Sequence, residues 1–255
     1  MILTIDIGNT NVLFCFFVKN IIKKSYRLSN PQVSYNSILK ILRSIKKDLK
    51  KINVVVSSVV PEMESFFRSF FLKISIQPFF LSKIINKKNF NTLIKNKNSI
   101  GDDRIVNVSY AIEKFKKSII VVDFGTATTF DVIDNKGVYV GGVITPGIDL
   151  SLNSLNINTA KLPLVNFKKT KSVVGIDTKM AIQSGFFWGY ISMVEGLIRK
   201  IEVEKRNKFK VILTGGNAKS FDKLIKNVDL VDTFFTSKGL NSILQKYLRL
   251  NNEKI

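Results

Sequence analysis

The sequence predicts an α/β protein built from two related halves that meet near residue 117. One observation is that strand-like apolar runs alternate with helix-like runs, which is the pattern of an α/β chain. Another is that an apolar run ending in an acid, a glycine and small polar residues occurs twice, as "TIDIGNTN" and "VVDFGTATT". A similar order of elements follows each copy. We therefore expect one domain over 1–117 and a second over 118–255.

The first half is expected to open with a three-stranded antiparallel meander over 2–7, 11–18 and 22–28, where apolar runs are separated by tight turns. A helix with apolar residues at helical spacing should follow over 33–49. The remaining predictions are a buried strand in "INVVVSSVV", a helix from Pro61, a strand over 75–81, a loop over 81–99, and a helix from Asp102 or Asp103 toward Lys117.

The second half should repeat this order. A meander is predicted over 118–124, 128–134 and 137–144, followed by a long helix over about 177–203. The run "KVILTGG" reads as a strand that meets glycines. We expect the last segment to alternate helix, short strand and helix, so that the meander and its following layers appear twice.

Composition excludes several kinds of chemistry. The chain of 255 residues is 45% hydrophobic, which is ordinary for a globular protein. No apolar run reaches the roughly 18 residues that span a bilayer, so we expect a cytoplasmic protein without a membrane anchor. The single cysteine, Cys15, and the absence of histidine exclude internal disulfides, the usual zinc sites and histidine-based triads. Acid–base chemistry must therefore use carboxylates, lysine or tyrosine.

The formal charge of +21 raises the alternative of nucleic-acid binding. Lysine is spread through "IKKDLKK", "IINKK", "EKFKK" and "NFKKTKS" rather than gathered in one block. Scattered charge without a recognition motif gives only non-specific attraction, and solvated helix faces accept lysine readily. We therefore expect no specific nucleic-acid partner.

The first copy of the repeat has the chemistry of a phosphate site. Gly8 permits a turn that exposes backbone N–H groups, and Asn9, Thr10 and Asn11 add neutral donors. Asp6, at the end of a buried strand, is placed to hold a metal ion or its waters. A single acid–x–glycine turn could simply end a strand.

The second copy makes phosphate binding the stronger interpretation. Asp123, Gly125, Thr126, Thr128 and Thr129 repeat the acid, the glycine and the hydroxyl donors. Two such hairpins that face one another would enclose a polyphosphate. The chain has no Walker A loop, because "GGNAKS" lacks its spacing. The pair Gly215–Gly216 is compatible with backbone approach to adenine or with a plain strand-to-helix turn.

An ordered set of motifs then resembles a known family. The set is "DIGNTN", "SSVVP", "GDDR", "DFGTATTFD", "GGVITPG", "AKLP", "AIQSG" and "TGGNA", over nearly the whole chain. It is similar to type III pantothenate kinase, a member of the actin/Hsp70/sugar-kinase superfamily. The resemblance implies duplicated actin-like (ribonuclease H-like) ATPase domains with the active site in the cleft between them. It also implies ATP-dependent phosphorylation of pantothenate, the first step of coenzyme A synthesis, by a homodimer that needs Mg²⁺ and K⁺ or NH₄⁺.

The resemblance also assigns residues. It implies that Asp103 is the general base, that Asp123 binds the monovalent cation and that Thr126 contacts phosphate. The ATP-binding segment would be the first hairpin, comprising Asp6, Ile7, Gly8, Asn9, Thr10, Asn11, Val12 and Leu13. The substrate-binding residues would be Gly101, Asp102, Asp103, Arg104 and Thr178. By itself "GDDR" also fits a helix N-terminus, where acids complement the dipole, and we give Asp102 only this capping role.

Two residues depart from the family pattern. Cys15 stands where the family usually has glycine, which indicates altered packing behind the first hairpin. Ile94 stands where the family usually has a substrate-contacting tyrosine. A kinase for another small alcohol is therefore the second alternative to pantothenate kinase. The run "AIQSGFFWGYISMVEGLI" is a candidate contact helix of the homodimer, unless its aromatic residues are shared between cores of one chain.

Overall fold

The chain forms two compact units in a computed structural model, which describes residues 1–45 and 49–252. The first unit comprises Met1–Lys114 and the segment from Phe234 onward, and the second comprises Phe115–Thr233. The observed division after Lys114 lies close to the predicted boundary. The predicted domain of 118–255 differs in one respect, because the chain from Phe234 onward packs in the first unit.

Ten strands and seven helices build the described part of the chain. The strands are Ile2–Ile7 (β1), Asn11–Val18 (β2), Ile21–Ser29 (β3), Asn53–Ser58 (β4), Phe79–Phe80 (β5), Ile119–Phe124 (β6), Ala127–Ile133 (β7), Tyr139–Pro146 (β8), Lys210–Gly215 (β9) and Leu230–Val231 (β10). The helices are Tyr35–Arg43 (α1), Pro61–Lys73 (α2), Leu81–Ile84 (α3), Asp102–Lys114 (α4), Ile148–Ile157 (α5), Thr178–Lys205 (α6) and Phe235–Asn252 (α7).

Each unit contains one five-stranded sheet, and the two sheets have the same order. They run β3–β2–β1–β4–β5 and β8–β7–β6–β9–β10. In each sheet the first three strands form an antiparallel meander, and the remaining two pair in parallel. The predicted repeat is thus present. Two predicted elements are shorter than expected: the strand over 75–81 is only β5, and the helix over 33–49 is α1, with residues 46–48 outside the described residues.

Successive side chains of β1 point to opposite faces of the sheet and therefore pack against different helices. Leu3, Ile5 and Ile7 pack in the cluster that contains the apolar residues of α1 and α2. Ile2 packs in a separate cluster with residues of α4 and α7. Because successive strand residues point to opposite faces, Asp6 lies on the same face as Ile2. The carboxylate at the end of β1 therefore faces the side of the sheet that carries α4.

Helix α7 belongs to the first unit because its apolar stripe completes that core. Leu240 and Leu244 are fully buried in the cluster with Val106 of α4. Gly239 permits the close approach of the two helices, since a Cβ there would lie 2.7 Å from Val106 Cγ1. A helix was predicted in this last segment, but an apolar stripe on a helix does not say which sheet it will cover.

The second unit places its helices on one face of its sheet. Ile120, Val122 and Phe124 of β6 pack with the buried residues of α5 and α6. Asp123 alternates with them and therefore lies on the opposite face. The sequence analysis predicted α6 but not α5, whose ten residues follow the meander directly.

Candidate functional site

The first hairpin is a rigid turn that presents neutral donors. Gly8 N–H donates to the carbonyl of Asn11 at 3.0 Å. The side-chain amide of Asn30 donates to the carbonyls of Gly8 and Asn9, at 3.1 and 2.8 Å. The side chains of Asn9 and Thr10 are exposed. The Asn30 side chain therefore stabilises the conformation of this turn. This role was not predicted, because Asn30 lies far from the hairpin in sequence.

Three residues of the predicted ATP-binding segment lie in the core. Ile7 and Val12 are essentially unexposed, and Leu13 is buried as well. Their backbones pair within the sheet, Ile7 with Val12 and Asp6 with Leu13. These three residues therefore shape the hairpin, and their side chains do not face solvent.

The predicted base lies at the beginning of α4. Asp103 Oδ1 accepts a hydrogen bond from Arg104 N–H at 2.8 Å. A Cβ on Gly101 would lie only 2.6 Å from the same oxygen. Any larger residue at 101 would displace the carboxylate, so glycine is required for this position of Asp103.

Strand β4 joins the base to the first hairpin. Val59, which follows β4, donates its N–H to the carbonyl of Ile7 at 3.1 Å. Its Cγ1 would be 3.7 Å from a Cβ on Gly101. Since Asp6 also faces α4, the first unit brings Asp6, the first hairpin and Asp103 to one edge of its sheet.

The environment of Asp103 favours the protonated carboxyl. Burial raises its pKa above the ordinary value, and Asp102 contributes in the same direction. The backbone hydrogen bond and the charge of Arg104 partly oppose this shift. The buried position makes the carboxylate a stronger base than an exposed one.

Asp102 has a larger role than helix capping. It is buried, and its Oδ1 lies 2.9 Å from Lys87 Nζ. The same ammonium donates to the carbonyl of Ile100 at 2.7 Å. Asp102 therefore links the beginning of α4 to the preceding loop.

The second hairpin has the same kind of glycine turn as the first. Gly125 N–H donates to the carbonyl of Ala127 at 3.1 Å, and Gly147 N–H donates to the carbonyl of Thr126 at 2.9 Å. A Cβ on Gly147 would lie 2.4 Å from that carbonyl oxygen. Thr126 is partly exposed. Glycine at 147 thus lets the chain after β8 close against the hairpin.

Asp123 lies at the carboxyl end of β6, beside the end of β9. It is half-buried. Gly215 has a φ of 91°, and a Cβ on it would lie 2.4 Å from Asp123 Oδ1. The backbone of Gly215 therefore packs against the carboxylate. This contact explains the first glycine of "TGGNA" without a ligand.

A metal site made only of side chains is absent from the described ranges. No group of three or more acidic, histidine or cysteine residues within 1–45 and 49–252 could hold a metal ion. A single carboxylate such as that of Asp123 suits a monovalent cation better than a divalent one, which needs a cage of several oxygen ligands. The residues around Asp123 therefore fit the proposed cation.

The two positions that remain from the sequence analysis are Thr178 and Ile94. Thr178 is the exposed first residue of α6, whose N-cap Asp177 accepts from Met180 N–H at 2.7 Å. Ile94 is half-buried in the loop before α4, and its N–H donates to Thr92 Oγ1 at 3.0 Å.

Cys15 is a core residue. It is fully buried in the cluster between the sheet and α7. Burial raises the pKa of its thiol to about 11, although a hydrogen bond with Ser237 lowers it somewhat. The thiol stays protonated at neutral pH, and its packing against α7 agrees with the expected structural departure behind the hairpin.

The aromatic run of α6 is divided between a core and a surface. Phe187 and Tyr190 are buried in the core of the second unit, and Tyr190 OH donates to the carbonyl of Pro146 at 2.5 Å. Trp188 Nε1 donates to the carbonyl of Ser172 at 3.2 Å. A groove of about 400 Å³ runs along the remaining face, lined by Leu155, Ile182, Gly185, Phe186, Gly189, Tyr190 and Met193.

The family model for type III pantothenate kinase matches residues 2–200. The chain belongs to the type III pantothenate kinase family. The matched region includes both hairpins and the segment around Asp103. This match favours a kinase over the nucleic-acid-binding alternative. No helix in the described portion is long and apolar enough to cross a membrane.

Solved structures with similar folds agree with the predicted architecture. A Baf family protein from Campylobacter jejuni is 20% identical, with a TM-score of 0.56 over 97% of this chain and 99% of that chain. A Sinorhizobium meliloti protein assigned as a 2-dehydro-3-deoxygalactonokinase is 8% identical, with a TM-score of 0.59 over 96% of both chains.

An activator of 2-hydroxyisocaproyl-CoA dehydratase from Clostridium difficile, with bound ADPNP, is 11% identical. Its TM-score is 0.53 over 98% of this chain and 97% of that chain. At these identities the likeness shows the fold alone. The predicted duplicated actin-like α/β fold is confirmed.

The raised pKa of Asp103 predicts that this residue lowers stability at neutral pH. A carboxyl with a raised folded-state pKa stabilises the folded state fully below its ordinary value of 3.8 and loses that contribution as the pH rises through the folded value. Asp103→Asn keeps an oxygen for Arg104 N–H and removes the charge. We expect its free energy of unfolding at pH 7 to exceed that of wild type by about 1 kcal/mol.

Urea denaturation from about pH 4 to pH 8 measures this difference, which should shrink toward the acidic end. Asp102→Asn is the control, because it removes one partner of a buried ion pair and should destabilise the protein. An Asp103→Asn variant that is less stable than wild type at pH 7 would contradict the burial argument.

Proposed function

We propose that the protein transfers the γ-phosphoryl group of ATP to the primary hydroxyl of pantothenate, giving 4′-phosphopantothenate in the first step of coenzyme A biosynthesis. The observation that carries the proposal is the position of Asp103. In a chain of the type III pantothenate kinase family, this carboxylate is held over Gly101 and beside the first hairpin.

ATP is proposed to bind through backbone and neutral side-chain donors. In the first unit these are the exposed amide of Asn9, the hydroxyl of Thr10 and the turn at Gly8. In the second unit the partly exposed Thr126 supplies the corresponding group. The structurally similar C. difficile protein was solved with ADPNP, which supports a nucleotide on this fold.

Neutral donors leave most of the triphosphate charge to cations. Mg²⁺ is usually held by phosphate oxygens, waters and one or two carboxylates, and Asp6 at the end of β1 is the residue of the first unit suited to this role. Asp123 is proposed to hold K⁺ or NH₄⁺ together with nearby carbonyl oxygens. When bound, these ions neutralise charge on the transferring group.

Asp103 is proposed to act as the general base. The hydroxyl oxygen of pantothenate forms a bond to the γ-phosphorus, the bond from that phosphorus to the bridging oxygen breaks, and ADP leaves. Asp103 accepts the hydroxyl proton, which its raised pKa favours. Arg104 is proposed to pair with the carboxylate of pantothenate, and Thr178 to contact this substrate.

A coupled ATP-turnover assay with Mg²⁺ and K⁺ tests the reaction and its base together. Wild type should turn over ATP with pantothenate far faster than with a panel of sugars and small alcohols. Asp103→Asn should lower kcat by about 10²-fold or more, because proton transfer is lost while ATP binding is retained.

Asp102→Asn is the neighbouring control and should cost far less than Asp103→Asn. Near-normal turnover of Asp103→Asn would show that Asp103 is not the general base. Faster turnover with another alcohol would instead indicate that this alcohol is the phosphoryl acceptor. That alternative stays open because Ile94 replaces the tyrosine that contacts substrate in the family.

The cation proposal predicts an ion-specific activity. Wild type should be active in K⁺ or NH₄⁺ and poorly active in Na⁺. Asp123→Asn should lose both this preference and most activity, because the half-buried carboxylate no longer offsets a bound cation. Steady-state rates at constant ionic strength measure the effect.

Asp149→Asn, which neutralises an exposed carboxylate in the first turn of α5, is the control and should keep the preference. Equal wild-type rates in Na⁺ and K⁺ would refute the cation site.

A homodimer is proposed to form through the groove on α6. The groove is apolar, and Gly185 and Gly189 lie along it with no atom within 4 Å of an added Cβ. The second unit also has exposed apolar side chains, including Ile157 and Met180. A second copy is the occupant that the family resemblance implies.

Gly189→Arg should convert the dimer to a monomer without unfolding the chain. The open space at this position accepts a side chain, but a buried charge at the contact would be costly. Light scattering gives the mass, and circular dichroism checks the fold. Ser192→Arg, on the exposed side of the same helix and outside the groove, should remain a dimer. A wild-type monomer, or a dimeric Gly189→Arg variant, would rule out this interface.

A further inference from the structure

Lys87 makes two contacts on either side of Gly101. Its ammonium lies 2.9 Å from Asp102 Oδ1 and donates to the carbonyl of Ile100 at 2.7 Å. The Lys87 side chain is 23% exposed and the Asp102 side chain 11%, so solvent screens this pair less than a surface ion pair. Lys87 therefore joins the backbone carbonyl before the glycine to the side chain of the residue after it.

The position of the Asp103 carboxylate depends on the same short stretch of backbone. Its Oδ1 lies where a Cβ of residue 101 would contact it, and it accepts the N–H of Arg104. A change in the dihedral angles of Gly101 would change where this oxygen lies relative to Ile100 and the preceding loop. Glycine has the widest conformational freedom of any residue, so the segment needs an external restraint.

We propose that Lys87 is a positioning residue for Asp103. By binding Asp102 and the Ile100 carbonyl together, it fixes the conformation at Gly101 and so keeps the Asp103 carboxylate directed for proton transfer. This inference rests on the proposed function in one respect, namely that Asp103 is the base. Lys87 contacts Asp102 and the backbone, and it acts on the reaction only through them.

The loop before α4 contains a second lysine whose ammonium also donates to backbone carbonyls, but at a different place in the loop. Lys97 Nζ donates to the carbonyls of Lys88 and Phe90, at 2.8 and 2.9 Å. Both acceptors lie outside the segment from Ile100 to Arg104. Lys97 therefore holds the interior of the loop, and its replacement is a control for general loosening.

Kinetics with a paired neutral variant test the proposal. Lys87→Met should lower kcat about tenfold while the KM for ATP changes less than about twofold, since the nucleotide contacts are elsewhere. Asp102→Asn alone should cost less than about threefold, because Lys87 still holds the Ile100 carbonyl. In Lys87→Met/Asp102→Asn, kcat should stay about as low as in Lys87→Met, because both contacts of Lys87 are still missing although no buried carboxylate is left unpaired.

Lys87→Arg should restore most activity, and Lys97→Met should leave kcat within about twofold of wild type. Wild-type kcat in Lys87→Met, or an equal loss in Lys97→Met, would overturn the positioning role. If wild type itself fails with pantothenate, or Asp103→Asn stays active, the proposed function fails instead.

Amide hydrogen exchange gives a readout that needs no activity. Exchange at Asp103 and Arg104 should accelerate about tenfold in Lys87→Met and remain unchanged in Lys97→Met. Unchanged exchange in Lys87→Met would overturn the inference whatever the enzyme's substrate is.

Discussion

The parallel pairing of β1 with β4, and of β6 with β9, is the constraint on which both candidate sites depend. Parallel strands end at the same edge of a sheet, so the turn after one strand lies beside the turn after its neighbour. In the first unit this brings the first hairpin beside Val59, and Val59 in turn packs against Gly101. In the second unit it brings Asp123 against the backbone of Gly215.

The two edges carry different chemistry on the same framework. The first unit adds the proposed base, because α4 begins beside the hairpin and its Asp103 carboxylate lies close to Gly101. The second unit adds a half-buried carboxylate suited to a cation. The basic composition of the chain contributes little to either edge directly. Arg104 is the basic residue next to the proposed base, and Lys87 pairs with Asp102.

The sequence predicted the repeated meanders, the hairpins and the beginning of α4, because these features depend on local alternation, glycine turns and capping chemistry. It did not predict that α7 joins the first unit, since an amphipathic stripe does not specify its partner. The Lys87–Asp102 ion pair was missed for a related reason, because its partners are separated by an aperiodic loop. Ile7, Val12 and Leu13 entered the candidate site as part of a motif, although strand alternation already predicted apolar side chains in the core.

Identification of the phosphorylated product tests the central claim most directly. The protein would be incubated with ATP, Mg²⁺, K⁺ and an equimolar mixture of pantothenate, sugars and other small alcohols, and the products would be identified by mass spectrometry. The account predicts that pantothenate carrying one phosphate on its primary hydroxyl is the dominant product and that it is absent with Asp103→Asn. A different phosphorylated alcohol as the main product, or undiminished product with Asp103→Asn, would contradict it.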